Sequence, residues 1–522
     1  MNIKINSLEN QRQLLQVELD SLKTKKERNR LGQFSTPTLL ANSILKYTSS
    51  LLSKNKKIRF LDPAIGTGVF YSALSQKFSL EKIGASKGFE IDKHYGIPSK
   101  NLWNSTDLDY AIDDFTMATP PKNENDKYNL VICNPPYVRH HHITEKKEQL
   151  KYLSKKSANI NLSLLSGLYC YFIALAHSWM KTDAIAVWLI PSEFMDVNYG
   201  KAIKEYLLDE VTLLRIHRFE PVDTQFEDAL VSSSIVWFQN KKTINNYKVH
   251  FTYGGTIDFP NCEKNIPIDI LKSEKKWTRF PLLNERIEIN KPKLSDFFSI
   301  KRGIATGDNS FFILSKEEIE ERGLPIKEFK PILPSPRYIK DIEILTDEEG
   351  NPKINHQLFV LNCSLDINRI KSKYLKLYDY LEEGIKRGVA DRYLCKNRKI
   401  WYIQEKREES FFYCTYMGRS TSDKKAFRFI LNHSKAIVSN SYLILYIKPE
   451  FKSILSNNLE IRDKILEVLN KITNSSMIEE GRVYGGGLHK LEPKELANVS
   501  AVDLANLLYT SLSSNVTVKK IA

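Results

Sequence analysis

"LDPAIGTGVF", residues 61–70, begins as an apolar strand, turns through Gly66-Thr67-Gly68 and leaves as a helix starting near Val69. Glycines there let a ligand lie against the backbone at the carboxyl edge of a sheet, where a Cβ would block it. Glu90, in the next strand "KGFEID", lies 22 residues beyond Gly68. An acidic side chain at that spacing can hold both hydroxyls of a ribose. Asp62, at the end of the first strand, joins Gly66, Gly68 and Glu90 as a cofactor residue. A dinucleotide site would want a third glycine, and position 71 is Tyr. S-adenosyl-L-methionine (AdoMet) has no pyrophosphate to cradle and needs none. In the turn "DDFTM" (113–117), Asp114 can accept from an adenine amino group with Phe115 covering the ring, although taken alone the segment reads as an ordinary Asp-rich turn.

Outward from this turn, apolar strands alternate with helices. Strands are expected at "IRFLDPA", "KGFEID", "YNLVICN" and "AIAVWLIP", and helices at 69–78, "GLYCYFIALAHSWM" and "GKAIKEYLLDE". That rhythm predicts βαβ units in a doubly wound, mostly parallel α/β sheet of Rossmann-like type. Two closing strands, "VTLLRIHRF" and "ALVSSSIVWFQN", read as a hairpin. Leu8, Leu15 and Leu22 fall seven apart and predict an amphipathic helix over 7–28, packed against the domain after it. Past Asn240 the segments become shorter, more polar and richer in proline. The expected division is an N-terminal helix over 1–30, a catalytic domain over 31–245 and a mixed α/β domain over 246–522, with the boundary itself falling within residues 241–290.

"VICNPPYVRHHH" (131–142) is a buried strand that ends in a loop of amide, prolines and tyrosine. Asn134 offers a side-chain carbonyl, and Pro135, which lacks an N–H, stiffens a loop with an outward backbone carbonyl. Two such acceptors grip both hydrogens of an exocyclic amine and favour the pyramidal nitrogen that attacks a methyl sulfonium. Pro136 completes the stiff loop and Tyr137 supplies a flat face for a base. Cys133 reads as strand-end core. Arg139 and His140, His141 and His142 read as loop or DNA contacts; adjacent histidines on a loop rarely converge on a metal, so none is expected.

These motifs resemble the gamma group of amino-methylating DNA methyltransferases, the Taq-type adenine-N6 enzymes of restriction-modification systems. "GQFSTP" (32–37) resembles motif X placed before motif I, "LDPAIGTGVF" motif I, "GFEID" motif II, "DDF" motif III and "NPPY" motif IV. "GLYCYF" (167–172) is similar to the motif V helix, and "FEDALVSSSIVWF" (226–238) to motif VIII. The resemblance implies a class I AdoMet-dependent methyltransferase domain followed by a DNA target recognition domain. It implies AdoMet contacts at Thr36, Gly66, Gly68, Glu90, Asp114 and Phe115, and base handling by Asn134, Pro135, Pro136 and Tyr137. Phe226 would stack on the extruded base opposite the tyrosine, since N6 of adenine is paired inside a duplex.

Composition agrees with a globular chain that handles a polyanion. The 522 residues exceed one core of usual size, and the net charge is +15. Residues 1–240 hold 30 Lys+Arg against 26 Asp+Glu, or +4, which leaves +11 for residues 241–522. Phosphate neutralisation favours such a surface, with Arg302, Lys490 and "CKNRKIWYIQEKR" (395–407) as candidate contacts, while most of these charges taken singly read as a solvated face. Six scattered cysteines without a C-x-x-C pair fit a reducing cytoplasm, and no signal or membrane segment is expected. Double-stranded DNA and a cognate restriction endonuclease are the implied partners. Modification subunits of multisubunit complexes, and N-P-P-Y enzymes acting on RNA or on a protein glutamine, are the alternatives. The RNA or protein enzymes would need neither motif X ahead of motif I nor a large basic C-terminal half, and against a modification subunit that large C-terminal region argues for self-contained recognition.

Overall fold

The computed structural model describes residues 2–519 apart from 139–142, 144–145, 221–222, 224, 226–231, 243–246, 282–290, 421–424, 457 and 485–486. It divides into two compact units, the first running to Glu285 and the second from Arg286, with 484–486 grouped in the first.

The first unit is built on a nine-stranded sheet: β1 (Ile58–Asp62), β2 (Ile83–Phe89), β3 (Leu108–Ala111), β4 (Tyr128–Cys133), β5 (Met180–Pro191), β6 (Thr212–Arg218), β7 (Ser233–Gln239), β8 (Lys248–Tyr253) and β9 (Cys262–Pro267). Its order is β3-β2-β1-β4-β5-β7-β6-β8-β9. The first five strands run parallel, and β7 lies antiparallel between β5 and β6. β1 and β4 are buried almost end to end, the pattern of central parallel strands covered on both faces. Strand order reverses between β1 and β4, which makes their carboxyl ends the switch point where such sheets bind ligands. The turn after β1 and the loop after β4 therefore face the same crevice. Sequence periodicity could place each motif at a strand end; topology brings the two ends together.

The helices that frame the crevice are α1 (Asn2–Ser21), α2 (Lys25–Leu31), α3 (Thr38–Leu51), α4 (Val69–Lys77), α5 (Lys93–Trp103), α6 (Lys147–Ala158), α7 (Leu168–Ala176) and α8 (Lys201–Asp209). The helix expected over 7–28 is two. A Thr24 capping box starts α2, with the Thr24 hydroxyl taking the Glu27 N–H and Glu27 reaching back to the Thr24 N–H. Gly32, at φ 63°, ends α2 in the left-handed conformation. One face of the sheet packs around Trp188, Phe115, Tyr169 and Phe238, the other around Phe60, Tyr71, Trp103 and Trp237.

The sheet does not stop at 245. β8 pairs in parallel with β6, and β9 pairs antiparallel with β8, so the first unit extends through the segment whose polar alternation reads as a break. The alternation is real, but its inward residues Val249, Phe251 and Ile266 join the first core. The second unit is mixed α/β, as expected, with sheets of five, four and three strands and amphipathic helices such as Leu375–Lys386 and Leu459–Lys471. Its cores are its own, one around Phe412, Leu443 and Ile465, another around Phe311, Val360 and Tyr380. No described helix is long and apolar enough to cross a membrane.

Candidate active site

The turn after β1 is held from behind and open in front. The Gly68 N–H donates to the Ile65 carbonyl at 2.8 Å, closing the turn. Tyr110 donates its hydroxyl to the Gly66 carbonyl at 2.5 Å, and Trp103 Nε1 donates to the Thr67 carbonyl at 2.8 Å. Gly68 sits at φ 91°, and a Cβ there would lie 2.5 Å from Trp103 Nε1. Gly66 sits at φ 55°, and where its Cβ would stand no described atom lies within 4 Å. The first glycine faces open space and the second admits the tryptophan.

Three acids stand at the carboxyl ends of β1, β2 and β3. Asp62 is buried at the end of β1, its Oδ1 accepting from the Ala64 N–H at 3.1 Å. Burial pushes its carboxyl up to about 8, against the pull of the Ala64 N–H and the Cys133 thiol and with a further push from Glu90. Glu90 follows β2, its Oε1 accepting from the Asp92 N–H at 2.8 Å. Burial, and then the neighbouring Asp92 charge, push it up to about 7. Asp114 caps the short turn Phe115–Met117, accepting from the Thr116 N–H at 2.9 Å, and pairs with Lys146 at 2.9 Å. Burial raises its carboxyl, but the Thr116 hydroxyl and Lys146 outweigh that and hold it below its usual range. Phe115 lies deeper than its expected role implies: it is buried between Phe89, Phe172 and Trp179, at centroid distances of 5.4–5.6 Å.

The loop after β4 is clamped by residues 32–36. Asn134 Nδ2 donates to the Phe34 carbonyl at 2.9 Å and to Thr36 Oγ1 at 3.0 Å. Both amide hydrogens are thereby fixed, and the buried Oδ1 has no hydrogen-bond partner among the described residues. The Tyr137 N–H donates to the Gly32 carbonyl at 3.2 Å, and the Tyr137 hydroxyl donates to the Leu189 carbonyl at 3.0 Å. Phe34 packs on the Tyr137 ring at 5.6 Å. Pro135 is buried and Pro136 half-buried between these anchors. Thr36, expected to touch cofactor, has its hydroxyl engaged as an orienter of Asn134. The Leu168 N–H of α7 donates to the Val138 carbonyl at 3.0 Å, which ties the motif V segment to the same loop.

Gly32 and Phe34 do as much as Thr36 to hold Asn134 and Tyr137, yet sequence reading alone singles out only Thr36. Their partners are about a hundred residues away, and no local pattern carries that contact. Cys133 is buried with its thiol pushed well up by burial, which leaves it inert as a nucleophile. Phe226, Arg139 and His140 to His142 lie outside the described residues. The expected phosphate contacts have internal partners: Arg398 donates to the Ala305 and Thr306 carbonyls, Arg407 to that of Arg302, and Lys490 pairs with Glu492.

Two family descriptions match this chain in tandem. Residues 42–225, which carry the crevice, match the Eco57I restriction-modification methylase, and residues 274–520 match the C-terminal domain of type II methyltransferase M.Eco57I. Both matches are to Eco57I-type restriction-modification methyltransferases. This methyltransferase is 26% identical to M.AccI of Acinetobacter calcoaceticus over 92% of its own length and 87% of that protein's. It is 25% identical to M.XamI of Xanthomonas campestris pv. amaranthicola over 92% and 86%. Among solved structures it is similar to a type IIL restriction-modification enzyme, MmeI, in complex with DNA, with 14% identity, a TM-score of 0.49 and coverage of 88% and 73%. The second match opens at residue 274, inside the first compact unit, so family and structural boundaries both fall beyond 245.

Proposed function

We propose that the protein is a site-specific DNA adenine-N6 methyltransferase of the gamma group. It takes a methyl group from S-adenosyl-L-methionine to an adenine extruded from duplex DNA, and so protects host DNA from a cognate restriction endonuclease in the cytoplasm. The observation that carries this reading is the buried Asn134 Oδ1, which lacks a partner while both amide hydrogens are engaged. A buried acceptor left unmade costs about 1–3 kcal/mol, so its retention points to a donor brought by a ligand. The amide is oriented so that only its oxygen is offered, which suits an amine and not a carbonyl.

The cofactor residues fit AdoMet. The opening before Gly66 admits a ligand against the backbone, and Glu90 stands at the neighbouring strand end to accept from ribose hydroxyls. Asp114 stands at the end of β3 for the adenine amino group, and Asp62 holds the start of the turn through Ala64. When bound, AdoMet supplies the electrophilic methyl sulfonium. The chain's own residues do the rest. Asn134 Oδ1 accepts one N–H of the target amine and the Pro135 carbonyl the other. Those bonds keep the nitrogen lone pair out of the ring and directed at the crevice. Tyr137, pinned through its hydroxyl, stacks on one face of the base. Phe226 is the residue that family resemblance offers for the other face.

Motif X ahead of motif I supports the gamma order, and Asn rather than Ser at position 134 supports adenine over cytosine N4. The substrate class is tested by offering labelled AdoMet with duplex DNA, structured RNA or a glutamine-bearing protein. Label in duplex DNA supports the proposal; label only in RNA or protein refutes it.

A further inference from the structure

α1 carries a charged face that is buried. Glu9 and Arg12 are 4% and 3% exposed, and Arg12 Nε and Nη2 donate to the two Glu9 oxygens at 2.8 and 2.7 Å. Burial raises the Glu9 carboxyl, but Arg12, Ser72 and Gln13 outweigh that and lower it to about 2. Apolar residues of similar volume often hold a helix in place as well as a buried ion pair does, so helix packing alone does not explain this one. Its other bonds do. Arg12 Nη1 donates to Thr67 Oγ1 at 3.1 Å and Nη2 to Thr38 Oγ1 at 2.8 Å. Thr67 in turn donates its hydroxyl to Gln16 Oε1 at 2.7 Å. The middle residue of the Gly66-Thr67-Gly68 turn is thus held by two side chains of α1.

The end of the same segment grips the second cofactor loop. Lys23 pairs with Asp92, and Gln33 Nε2 donates to the same carboxylate at 2.7 Å. Tyr95 donates its hydroxyl to Asp20 Oδ1 at 2.8 Å, and His94 Nε2 meets the Leu19 carbonyl at 2.9 Å. Asp92 is the residue whose N–H fixes Glu90 Oε1. These contacts involve other residues and another loop from those of Arg12.

We propose that residues 9–23 form a fixed back wall of the cofactor site, with Arg12 and Lys23 as positioning residues that hold the Gly66–Gly68 turn and Glu90 at the spacing AdoMet requires. This rests on the reading of that crevice as the AdoMet site. Neither residue touches the ligand; each acts through Thr67 or Asp92. The wall places affinity for the nucleoside cofactor under the control of a segment that precedes every recognisable motif.

The test compares the full-length protein with the double variant E9Q/R12M, with K23A and with the milder Q16L, which leaves the ion pair in place. AdoMet binding is measured by calorimetry, alongside KM for AdoMet, KM for duplex DNA and kcat. The double variant and K23A should each raise the AdoMet Kd and KM about tenfold, equivalent to about 1.4 kcal/mol, with kcat and the DNA KM unchanged. Q16L should raise both about threefold, and it decides the matter if the double variant does not fold. Folded variants with unchanged AdoMet Kd, or with binding stoichiometry lowered at unchanged Kd, would overturn the proposal, because lost folding alone does that. Absence of AdoMet binding by the unaltered protein would instead overturn the cofactor reading on which it rests.

Discussion

In the proposed reaction, Asn134 is the residue on which the chemistry turns. Removing a preorganised partner of the reacting group costs about 10²–10³ in rate. Asn134→Ala should therefore retain AdoMet and DNA binding and lose turnover by that factor, read as kcat against the two Kd values. The orienting bonds make a finer prediction. Thr36→Val removes one of the two acceptors that fix the amide, and should lower kcat about tenfold, while Thr36→Ser, which keeps the oxygen, should restore most of it. Glu90 sets a pH dependence. Its folded pKa is raised to about 7, so the carboxylate proposed to accept both ribose hydroxyls is present above that value and lost as pH falls through it. AdoMet should bind more weakly at pH 6 than at pH 8, and Glu90→Gln should bind weakly at both with the pH dependence gone. The strand-end placement of Gly66, Glu90 and Asn134 was legible in the sequence, because each follows an apolar run. The bonds of Thr36 and the depth of Phe115 were not, because both depend on neighbours distant in sequence.

At the scale of elements, the strands were readable from their apolar runs, and β1, β4, β5 and β7 lie within a few residues of where those runs place them. α5 was not: Pro98 in its middle and an overall polar character hide a helix whose Trp103 holds the glycine turn. The split of α1 from α2 was likewise obscured by leucines seven apart, the last of which, Leu22, lies just beyond the end of α1. The tightest approach between the clamp and the 134–137 loop lies at Gly32. A Cβ there would stand 2.4 Å from the Tyr137 backbone nitrogen, and the residue is at φ 63°. Gly32→Ala should push the 134–137 loop off residues 32–36, lowering kcat about a hundredfold while AdoMet binding changes little. A pre-steady-state assay with saturating AdoMet separates the two; a variant that loses AdoMet binding and keeps the rate of methyl transfer would contradict this role for the clamp.

At the scale of the molecule, each compact unit has cores of its own, and each family match falls mainly within one unit. Sequence reading brackets the boundary only within residues 241–290, because β8 and β9 alternate polar and apolar residues, as exposed modules do, yet bury the apolar set in the first core. The +11 carried by residues 241–522 predicts that duplex DNA binding weakens steeply with salt, while AdoMet binding, which neutralises no polyanion, does not. Parallel titrations between 50 and 200 mM salt check this as about a thousandfold change in the DNA Kd against a small change in the AdoMet Kd. Equal slopes would remove the assignment of a polyanion surface. The most direct test of the proposed chemistry is to incubate the protein and Asn134→Ala with duplex DNA and labelled AdoMet, digest to nucleosides and identify the labelled one. Labelled N6-methyladenine is expected from the protein and none above background from the variant. Labelled N4-methylcytosine, or equal labelling by the variant, would contradict the role given to Asn134 and the choice of adenine.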